Sequence, residues 1–270
     1  MKKIMLLLSV VLLWVGQAWA VPVLQVGAPA GVGDTGSYAD YIEDLTTPTE
    51  EDTAVTYGNL LYVAGLYANK DVVSLGGQYN GAYGPGLDWT DFTGLPDAFA
   101  DHGAILVATV PEVQVGVGTL SVGGVSSFYG SLDNSYFPNS HAPLNDPNSA
   151  YFFFDIGEFS KNVLIPDFAD ETLGDKLGEI KSLALIINGF DWVHFDVMAL
   201  QTELTESNHL DTFVTSTSLE NNPGSHDVTW KYENGGGGGG GNPVVPEPGT
   251  FILVGAGLVG LAVLRRKQGR

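Results

Sequence analysis

The sequence predicts a mainly β chain, built as an antiparallel β-sandwich or jelly-roll-like domain, with one short apolar segment at each end of the chain. Three observations carry this. Short apolar runs rich in Val, Ile, Leu, Tyr and Phe recur through the middle of the 270 residues and are broken by Gly, Pro and Asn. Gly reaches 36 residues, about twice the ordinary share, which favours turns over helix interiors. Hydrophobic residues make up 44% and charged residues 16%, so there is apolar material for a core and too little charge for a disordered chain.

The strands are expected in order at 60–68, 104–110 (closed by Pro111), 113–122, 150–156, 183–187, 192–200, 212–218 and 228–232. In the third, Val113, Val115 and Val117 alternate, then Leu120 and Val122, with glycines marking a bend. The fifth runs into Asn188-Gly189, which predicts a two-residue hairpin to the sixth. Helix is expected only at 37–45, 97–102 and 168–177. Along 192–200, alternation places Val193, Phe195, Val197 and Ala199 on one face and Trp192, His194, Asp196, Met198 and Leu200 on the other. That second face is either a second buried layer with a satisfied His–Asp pair or a binding surface.

The two ends read as addresses. Met1-Lys2-Lys3, an apolar run over 4–15 and the Ala18-Trp19-Ala20 ending make a signal peptide over 1–20, cut after Ala20. At the other end, a Gly-rich linker occupies 235–244. Val245-Pro246-Glu247-Pro248-Gly249 follows, then an apolar stretch over 250–264 and a basic tail over 265–270 that opens with Arg265, Arg266 and Lys267. As a helix, the apolar stretch would be about 22 Å long at ~1.5 Å per residue, short for a single membrane span. The basic cluster behind it would stay cytoplasmic and leave the 21–234 domain outside. Prolines at 246 and 248 keep the motif extended, in the form a protease cleft accepts. Gly255-Ala256-Gly257-Leu258-Val259-Gly260 mimics a dinucleotide fingerprint, but the chain ends ten residues later, so these are small residues of a membrane helix.

This three-part tail resembles the PEP-CTERM sorting signal, also called the ice-binding protein C-terminal domain, a label that by itself indicates no ice binding. The resemblance implies export through the Sec translocon and signal peptidase and transient residence in the inner membrane. It implies cleavage by exosortase, a membrane-embedded transpeptidase, and delivery to the cell surface or extracellular matrix of a Gram-negative, exopolysaccharide-producing bacterium. Shorter blocks are similar to the choice-of-anchor N group of secreted proteins: Val21-Pro22-Val23-Leu24-Gln25, Val193-His194-Phe195-Asp196-Val197 and Pro223-Gly224-Ser225-His226-Asp227. That likeness implies a surface-destined domain and no known activity.

Charge and composition limit the chemistry. Between Val21 and Val244 there are five Lys, no Arg and 30 acidic residues. Nucleic acid is excluded as a partner, because phosphate neutralisation needs Lys and Arg. The absence of Cys removes disulfides, Cys-ligated zinc and thiol nucleophiles. No cofactor is expected; the alternative is a structural calcium, for which Glu50-Glu51-Asp52, Asp133-Asn134 and Asn145-Asp146 offer hard oxygens without EF-hand spacing, weighed against plain solvated loops. His194, Asp196, His226 and Asp227 are the candidate metal ligands, weighed against a plain His–Asp hydrogen bond. No Gly-x-Ser-x-Gly elbow and no His-Glu-x-x-His motif occurs, so no catalytic residue is assigned. Loop aromatics (Tyr79, Tyr83, Trp89, Phe92, Tyr129, Tyr136 and Phe137) offer a sugar-stacking alternative. The expectation is a non-enzymatic exported protein of the surface or matrix, with exopolysaccharide as a partner. The alternatives are a carbohydrate-binding module or an extracellular hydrolase.

Overall fold

The computed structural model describes residues 21–44, 50–130, 137, 141–206 and 213–232, with Glu50, Glu51, Tyr129 and Gly130 described as backbone only. The signal peptide, Asp133, Asn134, Tyr136, the glycine linker and the whole sorting tail lie outside the described residues. Among the described residues there is no α-helix, only three single-turn 3-10 segments, and no helix long and apolar enough to cross a membrane.

Two antiparallel-dominated sheets form the domain. The smaller contains β1 (Leu24–Gly27), β4 (Leu60–Leu66), β11 (Leu173–Asn188) and β10 (Val163–Pro166) in that order, with β7 (Thr119–Val122) paired to the far end of β11. The larger runs β2 (Tyr41–Asp44), β3 (Glu50–Thr56), β14 (Val228–Lys231), β12 (Trp192–Glu206), β6 (Ala104–Pro111), β9 (Ser149–Gly157), β8 (Ser127–Gly130). β5 (Val72–Gly76) and β13 (Phe213–Asn221) also pair with β12. The fifteen-residue β12 is thus the spine. Its first half lies between β14 and β6, and its second half between β13 and β5. The β14–β3 pair is parallel, while the others are antiparallel.

The predicted alternation along β12 holds, and both faces are buried. Val193, Phe195, Val197 and Ala199 enter the inter-sheet core with Leu24, Val26, Leu61 and Val63 from the smaller sheet. On the outer face, Met198 and Leu200 join Trp89, Phe99, Ile105, Val107, Phe137, Leu144 and Phe153 in a second apolar cluster. The mixed face is therefore a second buried layer, roofed by connecting segments.

Several local expectations are corrected. Residues 41–44 form β2 rather than helix, and the 168–177 stretch turns into β11 at Leu173. Residues 97–99 make a single 3-10 turn, as do 112–114, so Val113 does not begin a strand. Asn188-Gly189 does not close a hairpin, because β11 and β12 belong to different sheets. The turn, with Gly189 at φ +74°, carries the chain across the sandwich. Phe190 then packs, fully buried, on Gly118, where a Cβ would come within 2.4 Å of its ring. The gain from burying that ring outweighs the local hairpin preference.

Candidate metal centre

Strand register builds the site. In the antiparallel β12–β14 pair, His194 stands opposite Thr229 and Phe195 opposite Val228. One further step places Asp227 beside Asp196. Side chains alternate, so His194, Asp196, Asp227 and Thr229 share the outer face, while His226 and Val228 point the other way. His141, from the segment between β8 and β9, closes over them. His141, His194, Asp196 and Asp227 have fully buried side chains, and one ligand atom from each lies within 4.8 Å of the others.

The contacts are short. His141 Nε2 lies 2.7 Å from Asp196 Oδ1 and 3.4 Å from Asp227 Oδ2. His194 Nε2 lies 3.2 Å from Asp196 Oδ2 and 3.8 Å from Asp227 Oδ2. Outer partners hold these groups in place. Thr229 Oγ1 is 2.9 Å from His194 Nδ1 and 3.1 Å from Thr53 Oγ1. Asn222 donates through Nδ2 to Asp196 Oδ1 at 3.0 Å and accepts the Val197 N–H at 2.7 Å, which fixes its amide orientation. Burial alone would push the Asp196 carboxyl up. The neighbouring His141 and His194 imidazoles outweigh that and hold it below the ordinary carboxylate range.

Three of the four residues singled out from the sequence, His194, Asp196 and Asp227, therefore come together, and the fourth does not. His226 sits on the opposite face, its Nε2 2.9 Å from Asp167 Oδ1 and its ring 5.3 Å from that of Tyr41. Ser225 Oγ lies 3.0 Å from His226 Nδ1, which completes a Ser225–His226–Asp167 chain. Burial would raise Asp167, but the His226 hydrogen bond and the Ala169 N–H outweigh it and lower its pKa. A third pair, His102 Nδ1 to Asp155 Oδ2 at 2.9 Å, is about one-third exposed.

His141 was missed because it lies in an Asn- and Pro-rich loop with no periodicity, far in sequence from its partners. Of the calcium candidates, Asp133 and Asn134 and the side chains of Glu50 and Glu51 lie outside the described residues, which leaves Asp52, Asn145 and Asp146. Asp146 Oδ1 caps its own turn by accepting from Asn148 N and Nδ2, at 2.8 and 2.9 Å. Asp52 is exposed at φ +62°. Among the loop aromatics, Trp89 and Phe137 are core residues. Tyr83 is exposed and meets Phe213 edge-on at 5.5 Å.

Residues 244–267 match the PEP-CTERM protein-sorting motif. The span contains Val245, Pro246, Glu247 and Pro248, the apolar stretch and the basic cluster Arg265-Arg266-Lys267. Comparison with curated proteins and with solved structures finds no match. The chain is thus an exported, membrane-transiting protein with an exosortase-type sorting tail and a mainly β body.

Proposed function

We propose that this is a non-enzymatic protein of the cell surface or extracellular matrix, held transiently in the inner membrane, released by exosortase at Pro246-Glu247-Pro248 and deployed among exopolysaccharide. The observation that carries the reading is the sorting motif at residues 244–267. The acidic, Arg-free 21–244 span supports it, since such a surface resists self-association and adhesion to anionic lipid. The test is the intact mass of the protein recovered from membrane and medium fractions of the producing bacterium. Cleavage at both ends predicts a chain starting at Val21 and ending within 246–248. A chain retaining Arg270 in the membrane fraction would overturn exosortase release.

The hydrolase alternative has one observation in its favour, the Ser225–His226–Asp167 chain. Ser225 and His226 are sequence neighbours in a turn, where such a contact forms locally, and the imidazole meets the hydroxyl through Nδ1. A fluorophosphonate probe separates the readings. The non-enzymatic reading expects no adduct on Ser225, and an adduct lost in Ser225→Ala would establish a hydrolase.

A further inference from the structure

The groups around the first half of β12 carry charge in a place that water does not reach. Asp196 and Asp227 are fully buried, and among the described residues the imidazoles of His141 and His194 are the cationic-capable groups that touch them. Ionised carboxylates in an apolar interior are costly unless opposite charge sits close by, and a divalent cation held between the two would supply it at one point.

The geometry fits such an ion. A tetrahedral site with bonds of ~2.0–2.1 Å has ligand atoms about 3.3 Å apart. With Asp196 Oδ2 and Asp227 Oδ2 as the carboxylate ligand atoms, the nitrogen-to-oxygen separations of 3.2, 3.4 and 3.8 Å lie near that spacing, while His141 Nε2 is 2.7 Å from the other Asp196 oxygen. Asp196 Oδ2 is buried and receives no hydrogen bond among the described residues, although His194 Nε2 is 3.2 Å away, so it is aimed into the cluster without the alignment of a donor–acceptor pair. The Thr229 hydroxyl can accept from His194 Nδ1–H and pass its own proton toward Thr53, which presents the Nε2 lone pair inward. Asn222 orients Asp196 in the same way. Metal-ligating imidazoles and carboxylates are ordinarily steadied by such outer partners.

We propose that His141, His194, Asp196 and Asp227 form a buried, closed structural site for one zinc-class divalent ion. Two imidazoles and two carboxylates in a four-ligand cage suit a first-row ion of borderline softness; calcium takes six to eight oxygens and magnesium keeps its waters. All four side chains are shut off from solvent, so the ion staples and does not catalyse. It ties the segment carrying His141 to the sheet spine and to the entry of β14. In a chain with no cysteine, it supplies the cross-link that a disulfide would otherwise provide.

The test uses the full-length protein in detergent, stripped with a chelator and reloaded with zinc chloride, or with cobalt(II) chloride as a visible reporter. The expected results are one metal equivalent per chain by elemental analysis, a tetrahedral cobalt spectrum, and a melting temperature lower by roughly 10 °C in the stripped protein. Asp196→Asn and, on the roof of the site, His141→Gln should each lose the metal. His102→Gln, from the more exposed His–Asp pair, should keep it. Less than a tenth of an equivalent bound after reloading, with melting indifferent to chelator, overturns the proposal. So does a full equivalent retained by both cluster variants, or displacement of zinc by calcium. Should Asp196→Asn fail to fold, His141→Gln and the wild-type stoichiometry still decide.

Discussion

Strand β12 presents two buried faces made by the same rule and filled with opposite chemistry. The inner face, Val193–Phe195–Val197–Ala199, is apolar throughout and needs only close packing. The outer face changes midway: His194 and Asp196 occupy the half beside β14, and Met198 and Leu200 the half beside β13. All four outer residues have no solvent exposure. The apolar half is held by area and shape. The charged half is held only if its polar atoms are answered, and Thr229, Thr53, Asn222, His141 and Asp227 converge there, with Asp196 Oδ2 left to the ion. Burial along this strand therefore does not distinguish packing from ligation, whereas the partners do.

The comparison can be broken most sharply from the inner face. Phe195→Ala should destabilise the domain by about 3–5 kcal/mol in denaturant unfolding, from lost transfer energy plus a cavity the flanking strands cannot close. The next effect belongs to the charged half. Thr229→Val preserves shape but removes the hydroxyl facing His194 Nδ1, and should cost about 1–3 kcal/mol. In the apolar half, Met198→Leu keeps volume and should cost less than about 1.5 kcal/mol by the same measurement.

Acid sharpens the account from outside the cluster. Glu179 is pushed up by partial burial but pulled further down by the Ser160 N–H and hydroxyl and by Lys181. Asp167 is likewise lowered, by His226 and backbone N–H groups. Both fold with depressed pKa values, so their stabilisation is present above the unfolded carboxylate range near ~4 and disappears as pH falls through the folded values. This carboxylate contribution to the melting temperature should be intact above about pH 5 and be lost below about pH 4. Glu179→Gln should remove part of that loss. The smallest effect is expected at the surface. Tyr83→Ala, at a side chain 49% exposed, should change stability by less than about 0.5 kcal/mol. It should also leave retention on an exopolysaccharide column unchanged, whereas a carbohydrate-binding module that used this ring would lose retention.

The sequence made the long central strands legible, because 104–110, 150–156 and 192–200 are apolar runs with only one way to be satisfied. It hid the short strands Tyr41–Asp44 and Val163–Pro166, whose residues are half exposed and take their pairing from a neighbour rather than from their own pattern. The Asn188-Gly189 turn was legible as a turn but not as a sheet crossing, since the destination of Phe190 is a tertiary fact. At the site, His194 and Asp196 were legible from i, i+2 spacing. The choice between His226 and Asp227 needed the β12–β14 register, and His141 came from a loop whose position no local pattern encodes.

The central claim is that the charged half of β12 is closed by an ion, and the most direct measurement is the mass of the protein from its own bacterium under native and then denaturing conditions. The account predicts that the native mass exceeds the denatured mass by one zinc-class ion, and that His141→Gln abolishes the difference. Identical native and denatured masses for the wild-type protein would contradict it.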